Sequence, residues 1–406
     1  MPIYEIGLDK IIERNQQEAR LTFSSDLNES IRESQVIFIA VGTPSLSNGL
    51  ADLSQVEEVA RTIALNLDDY KVIVNKSTVP VGTGKLVRDI ITSRMKKDVS
   101  FDIVSNPEFL REGTAIQDFT HPDRIVIGTE SERSREIMFN VYKSLYLIDT
   151  PFIFTTLETA ELIKYASNAF LATKITFINE MANLCEAVGG DIQTLAKAMG
   201  LDGRIGPKFL HAGPGYGGSC FPKDTKAIVK IAESHGEELS IIKAVIKAND
   251  NQRLRMIPKI KRNLGFLRGK IIAILGLAFK QNTDDMREAP SITIINGLLA
   301  EGALVKVHDP VAINEAMGIF GEKVDYYKNA YDAAEGADAV VIVTEWNSYR
   351  RLDLNRLKLL MKNPLLIDLR NLYTPQEAIE AGFQYEGVGR GVKNLNNIDE
   401  AALSRE

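Results

Sequence analysis

Val36-Ile37-Phe38-Ile39-Ala40-Val41-Gly42-Thr43-Pro44 is the stretch that decides the fold class. An unbroken apolar run, rich in β-branched residues, gives way at once to glycine, a hydroxyl and proline. A strand buried on both faces shows no alternation, so this run predicts a parallel-type strand ending in a loop. Downstream, a helical stretch at 53–67 precedes Val72-Ile73-Val74, which runs into Lys76-Ser77-Thr78-Val79-Pro80. A helix over 83–96 leads to Asp102-Ile103-Val104 and then Asn106-Pro107-Glu108. Arg124-Ile125-Val126-Ile127-Gly128 closes the set, and residues 1–35 read as a short helix and a connection. Strand, loop and helix in repetition predict a doubly wound α/β sheet. Such sheets bind ligands outside the carboxyl ends of their strands. Thr43, Thr78, Glu108 and Glu112 fall there, and each also reads as a capping or turn residue.

From Leu157 the pattern changes. Residues 158–188 keep helical periodicity with neither glycine nor proline, which predicts one long helix. Lys164 and Asn168, four apart, share a face of it, as a reactive pair or as a solvated polar stripe. More helix extends to about 248, interrupted by a glycine loop. Beyond Arg268 the α/β pattern returns, with strands at Ile271–Gly276, Val305–Asp309, Ala339–Val343 and Leu365–Asp368. Helices at 291–301, 332–336 and 354–361 lie between them. This predicts a second doubly wound domain. Its strand-end residues Lys280, Arg287 and Arg370 suit phosphate groups, or ordinary surface ion pairs.

The glycine loop reads Gly213-Pro214-Gly215-Tyr216-Gly217-Gly218-Ser219-Cys220-Phe221-Pro222-Lys223-Asp224. Pro222 suits the first turn of a helix, so Cys220 sits at or just before a helix N-terminus. The orphan N–H groups and dipole there favour a thiolate, and Lys223 adds positive charge. Asp224 lies one turn beyond Cys220. A thiolate with a carboxylate one turn away is a site for covalent catalysis. The same residues also fit a surface turn followed by a small buried cysteine.

The sequence has 406 residues, 25% charged and 45% hydrophobic, enough for two or three domains with cores of their own. A formal net charge of −6 without a basic block argues against nucleic acid as a partner. Two cysteines, Cys185 and Cys220, give no disulfide framework and suit a reducing cytoplasm. No apolar run approaches the roughly 20 residues that span a bilayer, and the N-terminus does not read as a signal peptide.

Together these segments resemble the UDP-glucose/GDP-mannose dehydrogenase family of nucleotide-sugar 6-dehydrogenases. The likeness rests on Val41–Pro44, Lys76–Pro80, Asn106–Gly113, Lys164–Phe170, Arg204–Leu210, Gly215–Asp224, Gly276–Lys280 and Thr344-Glu345-Trp346, in family order over almost the whole chain. The loop Gly215–Asp224 resembles the UDP-glucose branch. The resemblance implies two successive oxidations of an alcohol to a carboxylate with two NAD, through a thioester on Cys220. It implies that Lys164 and Asn168 steady the reacting oxygen, while Asp224, Thr78 and Glu112 place water and move protons. Glu108, Phe109, Leu110, Arg204, Lys208, Phe209, Gly217, Lys280 and Arg370 are then expected on the UDP-glucose. Thr43, Thr78, Glu112, Lys223 and Arg287 are expected on the NAD side, and the long helix in a homodimer core. The expected domains are 1–156 for NAD, 157–250 for dimerisation and catalysis, and 251–406 for the UDP-sugar.

One departure bears on the first domain. NAD-binding sheets begin with a strand and Gly-x-Gly-x-x-Gly, followed about 20 residues on by an acidic residue. That pattern is absent from the expected place here, and the cluster Gly387-Val388-Gly389-Arg390-Gly391 has the wrong spacing. An N-terminally truncated first sheet is therefore expected, with an exposed edge, an uncovered apolar face and weak NAD binding. The alternative function is a non-catalytic UDP-sugar-binding subunit.

Overall fold

The computed structural model describes residues 4–46, 48–148 and 150–390. Gly391 and the rest of the predicted third domain beyond it lie outside the described residues. The chain divides into two compact units, Met1–Ala169 with Lys223–Leu239, and Phe170–Pro222 with Ser240–Glu406.

The first unit opens with α1 (Leu8–Gln17) and α2 (Leu27–Glu33), two helices where one was predicted. Then come β1 (Val36–Ile39), α3 (Ser54–Asn66), β2 (Lys71–Asn75), α4 (Thr83–Arg94) and β3 (Phe101–Ser105). They are followed by α5 (Ala115–Thr120), β4 (Ile125–Gly128), α6 (Glu132–Tyr142) and β5 (Phe152–Thr155). The strands form one sheet in the order β1-β2-β3-β4-β5. β1, β2 and β3 are parallel, with Val36 opposite Val72 and Val72 opposite Asp102. β4 runs antiparallel to β3, contrary to a wholly parallel reading. The connection between them explains this: α5 buries none of its residues, so it does not cover the sheet as a crossover helix does.

Strand alternation sorts the first core into two layers. Ile39, Ile73 and Ile103 pack on one face against Val56, Ala60 and Ile63 of α3 and Val87 and Ile91 of α4. Those helical residues recur at three- and four-residue spacing, the stripe of a helix lying on a sheet. Val72, Val74, Val104 and Ile127 pack on the other face with Met138 and Tyr142 of α6. β1 has β2 as its strand neighbour, and Phe38 on it is 39% exposed.

Helix α7 (Leu157–Val188) spans 32 residues, and its turns are shared between the units. It is about 48 Å long at 1.5 Å per residue. α8 (Ile192–Gly200), α9 (Phe221–Ser234) and α10 (Ser240–Leu264) follow. No helix among the described residues is long and apolar enough to cross a membrane.

The second sheet starts with β6 (Ile271–Leu275), α11 (Pro290–Ala300), β7 (Leu304–His308), α12 (Ile313–Phe320), β8 (Asp325–Tyr326) and α13 (Ala330–Ala334). It continues with β9 (Ala339–Ile342), α14 (Asn347–Arg350), α15 (Leu354–Leu360), β10 (Leu365–Asp368), α16 (Pro375–Glu380) and β11 (Gln384–Gly387). The order β11-β10-β9-β6-β7-β8 is parallel throughout and doubles back at β6, the topological switch point. β8 and β11 are outer strands with polar sequences, which is why no apolar run announced them. Core residues cover both faces, Ile272 and Ile274 on one side and Ala273 and Leu275 on the other.

Candidate active site

In the first unit a buried polar stripe runs along α7. Glu161, Lys164, Tyr165 and Asn168 fall at i, i+3, i+4 and i+7, one helical face, and all are buried. Polar groups removed from water need partners, and three of the four find theirs on different elements. Glu161 accepts from the backbone N–H of Gly82 at 2.7 Å and of Gly84 at 2.8 Å, at the N-terminus of α4. Lys164 Nζ donates to Glu108 Oε1 at 2.9 Å. Asn168 donates to Asp224 Oδ2 at 2.6 Å, and Lys223 pairs with Asp224 Oδ1 at 2.9 Å. The stripe thereby gathers the turn after Thr78, the loop carrying Glu108 and the first turn of α9. The Tyr165 hydroxyl is fully buried, has no hydrogen-bond partner among the described residues, and is pushed far above its ordinary pKa by burial, with Asp224 and Glu161 adding to the shift.

The loop after β3 supplies Glu108, Phe109 and Leu110 together. The Leu110 N–H donates to the Glu108 carboxylate, fixing the turn. The Phe109 ring has Arg124 stacked at 3.6 Å and Lys164 Nζ 5.5 Å from its centre. Thr43 Oγ1 donates to the Thr78 carbonyl at 2.8 Å, bringing the carboxyl ends of β1 and β2 together. Glu112 lies in the loop before α5, partly buried. Asn75, the last residue of β2, is 1% exposed, and neither polar atom of its side chain has a partner among the described residues. An orphaned amide at the carboxyl end of a doubly wound sheet fits a site that a polar ligand completes.

In the second unit the glycine loop is held from below by side chains. Gly213 N–H donates to Asn179 Oδ1 at 2.8 Å, and Gln252 donates to the Gly213 carbonyl at 2.9 Å. Asn249 both accepts from Tyr216 N–H at 2.8 Å and donates to its carbonyl at 3.1 Å, while Arg253 donates to the same carbonyl at 2.6 Å. A Cβ at Gly217 would stand 2.4 Å from the Glu288 carbonyl oxygen, so glycine is required by close approach. Cys220 immediately precedes α9, as predicted, is partly exposed, and has Ser219 Oγ 3.4 Å from its sulfur.

The other predicted substrate residues are distributed over the same unit. Phe209 has φ 66, a left-handed backbone rare outside glycine, and its ring lies 6.3 Å from that of Phe221. Arg204 and Lys208 are exposed, Arg204 pairing with Asp202 at 2.6 Å. Arg287 is exposed and pairs with Asp285 at 2.8 Å. Arg370 donates to the carbonyls of Val343 at 2.8 Å and Phe279 at 3.1 Å. Lys280 Nζ lies 5.5 Å from the Phe279 ring. Sequence inspection missed Asp309, at the end of β7. One of its oxygens accepts from the N–H groups of Leu277 and Ala278 and from Trp346 Nε1, at 2.8, 3.2 and 3.1 Å. It also missed the four side chains beneath the glycine loop, which lie 33 to 39 positions from their partners.

Comparison with known proteins gives the family. Residues 1–146 match the NAD binding domain of the UDP-glucose/GDP-mannose dehydrogenase family, 158–251 its central domain and 273–375 its UDP binding domain. A UDP-glucose 6-dehydrogenase of Rhizobium meliloti is 52% identical, covering 96% of this chain and 90% of its own length. The UDP-glucose 6-dehydrogenase TuaD of Bacillus subtilis is 50% identical over 96% of this chain and 84% of its own. A solved UDP-glucose dehydrogenase from the archaeon Pyrobaculum islandicum superposes with a TM-score of 0.88 at 40% identity, covering 96% of this chain and 88% of that one.

Fold and site define an NAD-dependent dehydrogenase. The chain belongs to the UDP-glucose/GDP-mannose dehydrogenase family. The expectation of a truncated first sheet lacking its NAD-binding unit is thereby corrected. The family's NAD binding domain matches residues 1–146, and those residues supply β1 to β4 of the five-stranded first sheet, which has a core on each face. With that domain present, the non-catalytic alternative is not favoured.

Proposed function

We propose that the chain is a UDP-glucose 6-dehydrogenase that oxidises UDP-glucose twice, to UDP-glucuronate. The observation that carries this reading is the buried stripe of α7, with Lys164 on Glu108 and Asn168 on Asp224. An ammonium and an amide held by carboxylates in a low-dielectric setting are preorganised for an oxygen on which negative charge develops.

Thr43, Thr78, Glu112, Lys223 and Arg287 would hold NAD, which would supply the hydride acceptor for each oxidation. Lys164 and Asn168 steady the sugar oxygen as its proton passes to the water that Thr78, Glu112 and Asp224 place. The Cys220 thiolate adds to the aldehyde carbon and gives a thiohemiacetal, whose oxidation leaves a thioester. Water, placed by Thr78, Glu112 and Asp224, hydrolyses it and returns the thiol. Glu108, Phe109, Leu110, Arg204, Lys208, Phe209, Gly217, Lys280 and Arg370 hold the UDP-sugar. The proposed division is 1–156 for NAD, 157–250 for dimerisation and catalysis, and 251–406 for the sugar nucleotide.

We also assign the working form as a cytoplasmic homodimer built on α7, without nucleic-acid or membrane partners. Phe170, Phe177 and Leu184 support the dimer: they are exposed and recur every seven residues along α7, the spacing of a helix–helix seam. The test is NADH absorbance with UDP-glucose and excess NAD. Two NADH per sugar are expected. No NADH from folded chain overturns the assignment.

A further inference from the structure

Lys76 carries a charge that the proposed mechanism does not use. It follows β2 directly, and its Nζ donates to Asn106 Oδ1 at 3.2 Å and to the Tyr142 hydroxyl at 3.3 Å. Tyr142 in turn donates to the same Asn106 oxygen, and Asn106 Nδ2 donates to the Val126 carbonyl at 2.7 Å. The ammonium therefore rests on neutral acceptors, with no carboxylate in ion-pair contact among the described residues. Asn106 is 1% exposed and begins the Asn106-Pro107-Glu108 turn, so whatever fixes its side chain fixes the approach of Glu108 to Lys164. The charged and titratable groups facing this nest are Glu108 from the loop after β3, Lys164 from α7 and Tyr142 from α6. Arg124, ahead of β4, stacks on Phe109 beside it.

We infer that Lys76 is a positioning residue for the oxidation: its ammonium locks Asn106 and so the Glu108 turn, and adds positive potential at the Glu108–Lys164 pair. This rests on the function proposed above. Burial draws the Lys76 ammonium down to about 8, opposed by Glu108 and reinforced by Lys164. Both the lock and the added potential therefore fade as pH rises through that value.

The experiment is kcat and KM against pH for wild type, Lys76→Met and Tyr142→Phe. Lys76→Met is expected to lower kcat about tenfold at neutral pH, as loss of a nearby half-buried charge does. The UDP-glucose KM should stay within about threefold, and the alkaline limb of wild-type kcat near pH 8 should vanish. Tyr142→Phe, which keeps the apolar wall but removes one acceptor from the ammonium, should move that limb to lower pH. It carries the test by itself if Lys76→Met does not fold. An unchanged kcat in folded Lys76→Met, or an unmoved limb in Tyr142→Phe, overturns the inference. Wild type that forms no NADH overturns the proposed function instead.

Discussion

The side-chain amide of Asn168 donates to Asp224 at 2.6 Å, joining the buried stripe of α7 to the first turn of the helix that Cys220 precedes. The two residues are 56 positions apart, and both are buried. A carboxylate so placed is oriented for proton handling and has little freedom to turn away.

Asp224→Asn keeps the size of the side chain and leaves an amide–amide hydrogen bond possible, so the fold should survive. General acid–base contributions typically run to 10²–10⁴-fold, and kcat should fall by about 10²-fold or more with a small change in KM. Steady-state NADH kinetics beside a melting curve check this. A kcat near wild type would remove Asp224 from the chemistry.

The two thiols should react very differently. Cys220 is partly exposed, whereas Cys185 is buried, and burial followed by Asp191 and Glu186 raises its thiol pKa. Thiolates, not thiols, are alkylated. Brief treatment with iodoacetamide near neutral pH should label the Cys220 peptide alone and abolish turnover in step with labelling. Peptide mass spectrometry reads the outcome, and activity surviving full labelling of Cys220 would contradict the thioester route.

Glu161 should give stability a pH slope. Burial pushes its carboxyl from 4.5 up to about 7, against the two N–H donors of Gly82 and Gly84. The folded chain therefore binds more protons than the unfolded chain between those values, and this group's contribution to stability falls as pH rises through the window. The melting temperature should lose that part of its decline between pH 4.5 and 7 in Glu161→Gln. An identical profile for variant and wild type would refute the coupling.

Gly217→Ala places a methyl 2.4 Å from the Glu288 carbonyl oxygen, backbone that cannot swing aside. Overpacking of this kind costs about 1–3 kcal/mol. The strain falls on a loop proposed to hold the sugar nucleotide, so the UDP-glucose KM should rise about tenfold or more for each ~1.4 kcal/mol diverted from binding. Binding calorimetry with UDP-glucose separates this from a loss of fold.

β2, β4, β9 and β10 were legible as unbroken apolar runs, because burial on both faces leaves no choice of residue; β1 carries the same kind of run at the edge of its sheet, with Phe38 39% exposed. The long helix was legible from 31 positions free of glycine and proline (158–188). Lys164, Asn168, Cys220 and Asp224 were visible as local patterns. Their partners were not: Glu161 meets Gly82 and Gly84, and Asn249 meets Tyr216, across dozens of positions with no periodic signal. Lys76 lay inside a quoted motif, yet only its seat on Asn106 and Tyr142 reveals a role. The antiparallel turn of β4 escaped notice because short apolar strands look alike in either direction. The absent glycine fingerprint suggested an N-terminally truncated first sheet, whereas the family's NAD binding domain matches from residue 1 to residue 146.

Asp309 gives the second sheet a character of its own. Its strand order is that of a dinucleotide-binding fold, and the turn after β6 aims backbone N–H groups where a pyrophosphate would lie. Asp309 takes those N–H groups, and the Trp346 indole N–H, onto one carboxylate oxygen, so the turn is tied to the end of β7 by the protein's own side chain. The shape of that turn is therefore set by the fold itself and stands ready before any ligand arrives.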